Sequence, residues 1–330
     1  MSLQQLEESL YNRIKVLNET LWEHRIRKKN IEEWLSNFQS DEEIHMLYLL
    51  SQFMYFGSTQ MRQLLISLYR DLYKYPIIKQ IRKANGNTLD SGIIEPEFKR
   101  IQLSTRFFGI GNPSESGAHL LYFFRQENNL SKRLFQNTSE IFDRKGGTLI
   151  LRDPSILYYV FIDDFCGSGS QVSSDTSLSN TIQELKSLNP SISICYLMLF
   201  GTSKGIDNVR KAGMFDYVDA VIHLDESFSC FNPKSRYFAN VVAPFNIAIA
   251  EKICRDYGVP LIQQIIESEG GSPAEAMALA PTHALGFNNS QLLIGFHHNT
   301  PDNTLPVIWY DEDAIPWRPI FRRYNKKYGF

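Results

Sequence analysis

The sequence predicts an α/β protein: a parallel sheet covered by helices, with a helical N-terminal region before it and a C-terminal extension after it. Three observations carry this expectation. From about residue 101 apolar runs of strand length alternate with helical patterns, as parallel sheets require. The first hundred residues carry helical periodicity instead. After Gly270 the pattern turns irregular and polar, with aromatics near the end. The expected divisions are 1–100 (a bundle or winged-helix-like region), 101–265 (the sheet core) and 266–330 (the extension).

Leu3, Leu6, Leu10, Ile14, Leu17 and Leu21 recur at spacings of three and four, which places one apolar stripe on a charged helix. Ser40 and Glu43 have capping-box spacing before the apolar-rich run Ile44–Phe56. Gly57 and Ser58 break that run, and Leu64, Leu65, Leu68, Tyr69 and Leu72 form a second helical pattern. This order suits a helix-turn-helix module and, more simply, a helical bundle. The segment Lys83–Gly92 is the best boundary, through Gly86, Asn87 and Gly92.

Within the core, Phe107–Ile110 reads as a strand, Ala118–Phe124 as a helix, and Thr148–Leu151 and Leu157–Ile162 as strands. A helix near Thr181–Leu188 stops at Asn189-Pro190. Ile192–Phe200 is a buried strand, Lys204–Lys211 a helix ended by Gly213, and Ala220–Leu224 a strand. Phe245–Tyr257 reads as a helix closed by Gly258. Ser272-Pro273-Ala274-Glu275 opens another that Pro281 ends, and Gln291–Phe296 is strand-like. Ligands of such sheets bind beyond the carboxyl ends of the strands.

Composition removes several functional classes. The formal charge is −2, which supplies no global attraction to nucleic acid or anionic membrane. Cys166, Cys195, Cys230 and Cys254 are scattered without C-x-x-C spacing, as expected of reduced thiols in a cytosol. No apolar run nears the roughly 20 residues of a membrane helix, and MSLQQLEESL is no signal peptide. A cytoplasmic location is expected. Gly109-Ile110-Gly111 lacks the last glycine of a dinucleotide fingerprint, Gly201-Thr202-Ser203-Lys204 lacks the upstream glycine of a Walker loop, and no G-x-S-x-G elbow occurs.

The strongest local signal is Val160–Gln171, VFIDDFCGSGSQ: a buried strand running into Asp163-Asp164, then Cys166-Gly167-Ser168-Gly169-Ser170-Gln171. Carboxylates at the end of a buried strand need a cationic or hydrogen-bonding partner. Ribose hydroxyls and Mg²⁺ both answer that need. Gly167 and Gly169 admit a close backbone approach, and successive N–H groups make an anion nest. The bland alternative is a strand-to-loop turn with solvated aspartates. Upstream, Gly111-Asn112-Pro113-Ser114-Glu115-Ser116-Gly117 lies between a strand and a helix. It reads equally as an anion-binding loop or as a Ser-capped helix start.

The segment resembles the motif of type I phosphoribosyltransferases, in which apolar residues, two acids and a small-residue loop follow in order. The resemblance implies a phosphoribosyltransferase-like core. In it, Asp163 and Asp164 face the ribose of phosphoribosyl pyrophosphate, with Mg²⁺ held indirectly, and Gly167–Gln171 bind the 5′-phosphate. Ser114, Glu115, Ser116 and Gly117 take the place of the pyrophosphate loop, with Arg125 from the following helix. Gln171 departs from the threonine usual there, which puts efficient transfer in question. Three segments (Gly111–Asn128, Phe161–Gln171 and His283–Trp309) are similar to a divergent group in bacterial conflict systems, including retron-type antiphage loci. This implies a defence effector acting on a nucleobase, nucleotide or nucleic acid, beside a reverse transcriptase and its RNA–DNA product. A nucleotide sensor that binds without turnover is the alternative.

Further candidates stand beside their simpler readings. His298 and Asn299 either line a base pocket or serve the turn His297–Asn303. Cys166 either acts as a nucleophile or packs on the loop. Arg318, Arg322, Arg323, Lys326 and Lys327 interleave with Trp317, Phe321, Tyr324 and Tyr328. That pattern suits single-stranded nucleic acid, or a tail docked on its own domain.

Overall fold

A computed structural model of the chain describes residues 2–111, 116–239, 241 and 243–324. The helix α1 (Leu3–Thr20) starts where Ser2 and Gln5 satisfy each other's backbone N–H groups in a capping box, and it buries Leu10 and Ile14. It is followed by α2 (Lys28–Leu35), α3 (Glu43–Leu50) and the short strand β1 (Met54–Phe56). Next, α4 (Ser58–Ser67) runs through a π-helical segment, Leu68–Lys74, into α5 (Tyr75–Ala84), and α6 (Ser91–Leu103) begins at the Asp90 cap. The alternating region holds β2 (Thr105–Gly109), α7 (Ser116–Glu127), the hairpin β3 (Phe142–Lys145) and β4 (Thr148–Leu151), and β5 (Tyr158–Cys166). It continues with α8 (Ser170–Ser174), α9 (Thr176–Leu188), β6 (Ser193–Thr202), α10 (Ser203–Ala212) and β7 (Tyr217–Leu224). The chain then forms α11 (Ile247–Ser268), α12 (Pro273–His283), β8 (Ile294–Phe296) and α13 (Pro306–Trp309).

Two compact units result. One is Arg62–Leu224; the other joins the residues up to Met61 with those from Asp225 onward. Residues 62–100 therefore belong with the sheet, and the 225–265 stretch belongs with the C-terminal extension. In the first unit the sheet order is β2-β5-β6-β7, with every pair parallel. Phe161, Ile194, Tyr196 and Met198 share a buried cluster with Leu178, Ile182 and Leu185 of α9 and Ile206 and Val209 of α10. Phe107 packs edge-on against Phe124 of α7 and Tyr73, both at 5.1 Å between ring centres.

In the second unit β1 pairs with β8 in parallel, Met54 opposite Ile294. The Trp34 indole N–H donates to the Val307 carbonyl at 2.8 Å. Phe321 stacks on Phe53 at 4.5 Å.

Four local expectations change. The Ser40–Glu43 cap is not formed: Glu42 turns back to accept the Gln39 N–H at 3.0 Å, and α3 begins beyond it. The end of the Ile44–Phe56 run is strand, because its partner β8 lies more than two hundred residues away and leaves no local mark. Pro281 sits in the last turn of α12, which runs on to His283, since a proline there removes only a terminal bond. Gly258 does not close α11 but lies inside it. A Cβ at Gly258 would stand 2.1 Å from the Ala284 carbonyl oxygen, so this glycine permits a backbone contact. Replacing Gly258 with Ala is expected to destabilise the protein by about 1–3 kcal/mol, as overpacking does. Thermal unfolding checks this, and an unchanged midpoint contradicts the contact.

Candidate functional site

The apolar run Tyr159–Ile162 is fully buried and carries Asp163 and Asp164 to the carboxyl end of β5. The strand does not end at the acids. Phe165 pairs opposite Phe200 and Cys166 opposite Gly201, because β6 is long enough to extend the ladder past them. The loop proper is then Gly167–Gly169. Ser170 and Gln171 belong to α8, whose cap residue Gly169 has the left-handed φ of 75°.

Residues of α10, and Thr202 that caps it from the end of β6, set the loop. The Thr202 hydroxyl donates to the Gly167 carbonyl at 2.5 Å and accepts the Gly205 N–H at 2.9 Å. The Asn208 side-chain amide donates to the Ser168 carbonyl at 3.0 Å. Backbone meets backbone here: a Cβ on Gly205 would fall 2.2 Å from the Gly167 oxygen, and one on Gly169 would fall 2.8 Å from the Gly205 oxygen. In a planar trans peptide the N–H points opposite to the preceding C=O. Tying the Gly167 carbonyl to Thr202 therefore turns the Ser168 amide away from α10. Ser168 and Ser170 hydroxyls share a 2.6 Å hydrogen bond at the same turn.

Beneath the loop lies a polar cluster in an apolar layer. The Tyr196 hydroxyl donates to Asp163 Oδ2 at 2.7 Å, and the Asp164 N–H donates to Asp163 Oδ1 at 2.9 Å. Burial, then the Asp164 charge, pushes the Asp163 carboxyl well above the usual carboxylate range, against the lowering pull of the Tyr196 bond. Two adjacent carboxyl groups in low dielectric favour one shared charge over two. Burial, then Asp163, raises the Cys166 thiol to about 12. That removes it as a nucleophile at neutral pH and leaves the packing role.

Magnesium suits this donor set in one way. Asp163 and Asp164 offer hard oxygen atoms, but no group of three acidic, histidine or cysteine ligands occurs among the described residues. Such a pair fits an ion that keeps most of its shell as water and substrate oxygens.

The other expected residues are placed as follows. Ser114 and Glu115 lie outside the described residues, and Ser116 and Gly117 open α7. Arg125 is in the last turn of α7, about 13 Å along the axis from Ser116, with its guanidinium 5.8 Å from the Tyr122 ring centre. His298 and Asn299 belong to the other unit. Asn299 ties down the C-terminal segment, accepting the Tyr324 N–H at 2.9 Å and donating to its carbonyl at 3.3 Å. His298 stacks on Phe296 at 5.7 Å. The described part of the basic–aromatic tail is docked on its own unit. Phe321 is core, Trp317 meets Phe38 edge-on at 5.3 Å, and Arg322 and Arg323 pair with Asp311 and Asp302. Lys326, Lys327 and Tyr328 lie outside the described residues. No described helix is long and apolar enough to cross a membrane.

Sequence reasoning missed Tyr196, Asn208 and the capping role of Thr202. Thr202 had a usable signal, a threonine after a strand and three residues before Gly205. Tyr196 had only its polarity within an aliphatic strand.

Among curated proteins none matches the chain. Among solved structures it is similar to the Helicobacter pylori xanthine-guanine-hypoxanthine phosphoribosyltransferase, with 12% identity over 52% of this chain and 84% of that one. The TM-score is 0.27, too low a likeness to bear on fold or activity. The family model PRTase-CE matches residues 31–323, which include all of the Arg62–Leu224 unit with its parallel sheet and the Asp163–Gly169 turn, and most of the other unit. The chain belongs to the PRTase-CE family, a family of phosphoribosyltransferase type.

Proposed function

We propose that the protein binds phosphoribosyl pyrophosphate or a related nucleotide at the carboxyl end of β5 and transfers the phosphoribosyl group to a base, water or macromolecular acceptor. The observation that carries this is the loop whose carbonyls are tied to Thr202 and Asn208, next to an acid pair half-buried near the carboxyl end of β5. The Ser168 amide and the Ser168 and Ser170 hydroxyls donate to the 5′-phosphate. Asp163 and Asp164 hold the ribose hydroxyls and favour positive charge on the ring as the bond from the anomeric carbon to pyrophosphate breaks. Magnesium, when bound, offsets the pyrophosphate charge. The acids position and stabilise rather than move a proton to the acceptor.

A second reading, a sensor that binds without turnover, is favoured by Gln171 standing where the resembling family has threonine. Steady release of pyrophosphate by the wild type excludes it as the whole account. The similarity of three segments to conflict-system proteins supports a role as a retron-type antiphage effector. A reverse transcriptase retained with the protein on purification from its native host is the expected result. Loss of phage protection on Asp164→Asn is expected with it, and unchanged protection contradicts the effector role.

Two predictions test the site. Phosphoribosyl pyrophosphate should bind in the presence of Mg²⁺ in a calorimetric titration, and Asp164→Asn should weaken it by roughly tenfold or more, about 1.4 kcal/mol. Absence of binding by the wild type rejects the proposal. The second concerns pH. The folded chain keeps a proton on Asp163 that the unfolded chain releases, so stability falls as pH rises from the ordinary carboxylate range to the raised value, and the deficit persists above it. Asp163→Asn should therefore raise the unfolding temperature at pH 8 and flatten that slope. Each tenfold difference in proton affinity between the folded and unfolded chain is worth about 1.4 kcal/mol of this effect. A less stable variant at pH 8 contradicts this.

A further inference from the structure

Tyr196 is a buried polar group beside the candidate site that the proposed chemistry does not use. Its neighbours in β6, Ile194, Leu197, Met198, Leu199 and Phe200, are all buried and apolar, and Tyr196 itself has no accessible surface. A phenol placed there must bond its hydroxyl or lose the solvation it had in water. It bonds an acid, donating to Asp163 Oδ2 at 2.7 Å, while the Asp164 N–H holds the other Asp163 oxygen.

The register explains the reach. Phe161 lies opposite Tyr196, and Asp163 lies opposite Met198. Side chains two apart on a strand share a face, so the phenol lies one step below the acid and extends toward the carboxyl end of the sheet. The ring is fixed by stacking on Phe215 at 5.2 Å and 27°, and Phe215 meets Phe161 edge-on at 6.1 Å. Phe161 and Asp163 are on the same strand, so one packed unit holds both partners of the hydrogen bond.

Stability alone is a poor account of this pair. An apolar pair of similar volume in place of buried polar partners is often neutral or stabilising. A polar pair that persists directly under a ligand turn is a place where local stability gives way to a site.

We propose that Tyr196 is a positioning residue for the ribose-binding acids: it fixes Asp163 from the core side and so sets the direction in which the remaining lone pairs of Asp163, and the adjoining Asp164, face a ribose with free 2′- and 3′-hydroxyls. This rests on the phosphoribosyl pyrophosphate reading above. The removal of one oxygen in Tyr196→Phe keeps the ring stack, so the fold survives.

The test measures phosphoribosyl pyrophosphate affinity with saturating Mg²⁺ for wild type, Tyr196→Phe, Asp163→Asn and the double variant, with unfolding temperatures for all four. Tyr196→Phe should weaken binding about fivefold or more with an unchanged or higher unfolding temperature. In the Asp163→Asn background it should add less than about twofold, since partners in one hydrogen bond are not additive. Wild-type affinity in Tyr196→Phe, or an equal loss in both backgrounds, overturns the inference. Failure of the wild type to bind rejects the reading beneath it instead. The ligand-free crystal structure of Tyr196→Phe then decides: a rotated Asp163 carboxyl supports positioning by Tyr196, and an unmoved one overturns it.

Discussion

Everything proposed for this protein depends on a backbone-to-backbone approach between the turn after β5 and the first turn of α10. Gly205 has no Cβ, and that absence lets the Gly167 carbonyl come in to Thr202. Asn208 then takes the Ser168 carbonyl. The Gly167–Ser168 peptide, its carbonyl taken by Thr202, presents the Ser168 amide on its other side, whereas the Ser170 N–H goes to the Ser168 hydroxyl at 3.2 Å and the Gly169 N–H to the Cys166 thiol. The direction of that one amide and of the Ser168 and Ser170 hydroxyls beside it, rather than the presence of glycine as such, makes the turn a candidate anion site. Any side chain at position 205 would push the turn off α10 and release that direction.

The acid pair is the second consequence of the same architecture. The buried run Tyr159–Ile162 of a central strand delivers the acids, half-buried, to the carboxyl end of the sheet. Burial and mutual repulsion then raise Asp163, while a single phenol from β6 and one backbone N–H restrain it. The arrangement costs folding stability at neutral pH. Sites that bind charged ligands commonly carry such a cost, because the groups needed for the ligand are poor choices for a core.

What the sequence made legible was what short range determines. The periodicity of Leu10 and Ile14, the Ser272 cap and the apolar run into Asp163-Asp164 each reflect physics within a few residues, and each is found in the fold. The parallel sheet was legible because strand and helix periods alternate. The missed features depend on long-range partners. Met54–Phe56 is a strand because of Ile294–Phe296. Gly258 has the local look of a helix stop but is set by the Ala284 carbonyl. The aromatics near the C-terminus read either as a stacking surface or as a docked tail, a choice left to long-range contacts: Phe321 faces Phe53 and Trp22 in the core. At the site, VFIDDFCGSGSQ named the acids and the turn, whereas Tyr196, Thr202 and Asn208 come from the next strand and helix.

The most direct test is a crystal structure of the protein soaked with phosphoribosyl pyrophosphate and Mg²⁺. The account predicts the 5′-phosphate on the Ser168 amide and the ribose hydroxyls against the Asp163–Asp164 carboxyls, with the Gly167 carbonyl still bonded to Thr202. A sugar phosphate bound elsewhere, or a turn that must leave α10 to admit it, contradicts the account.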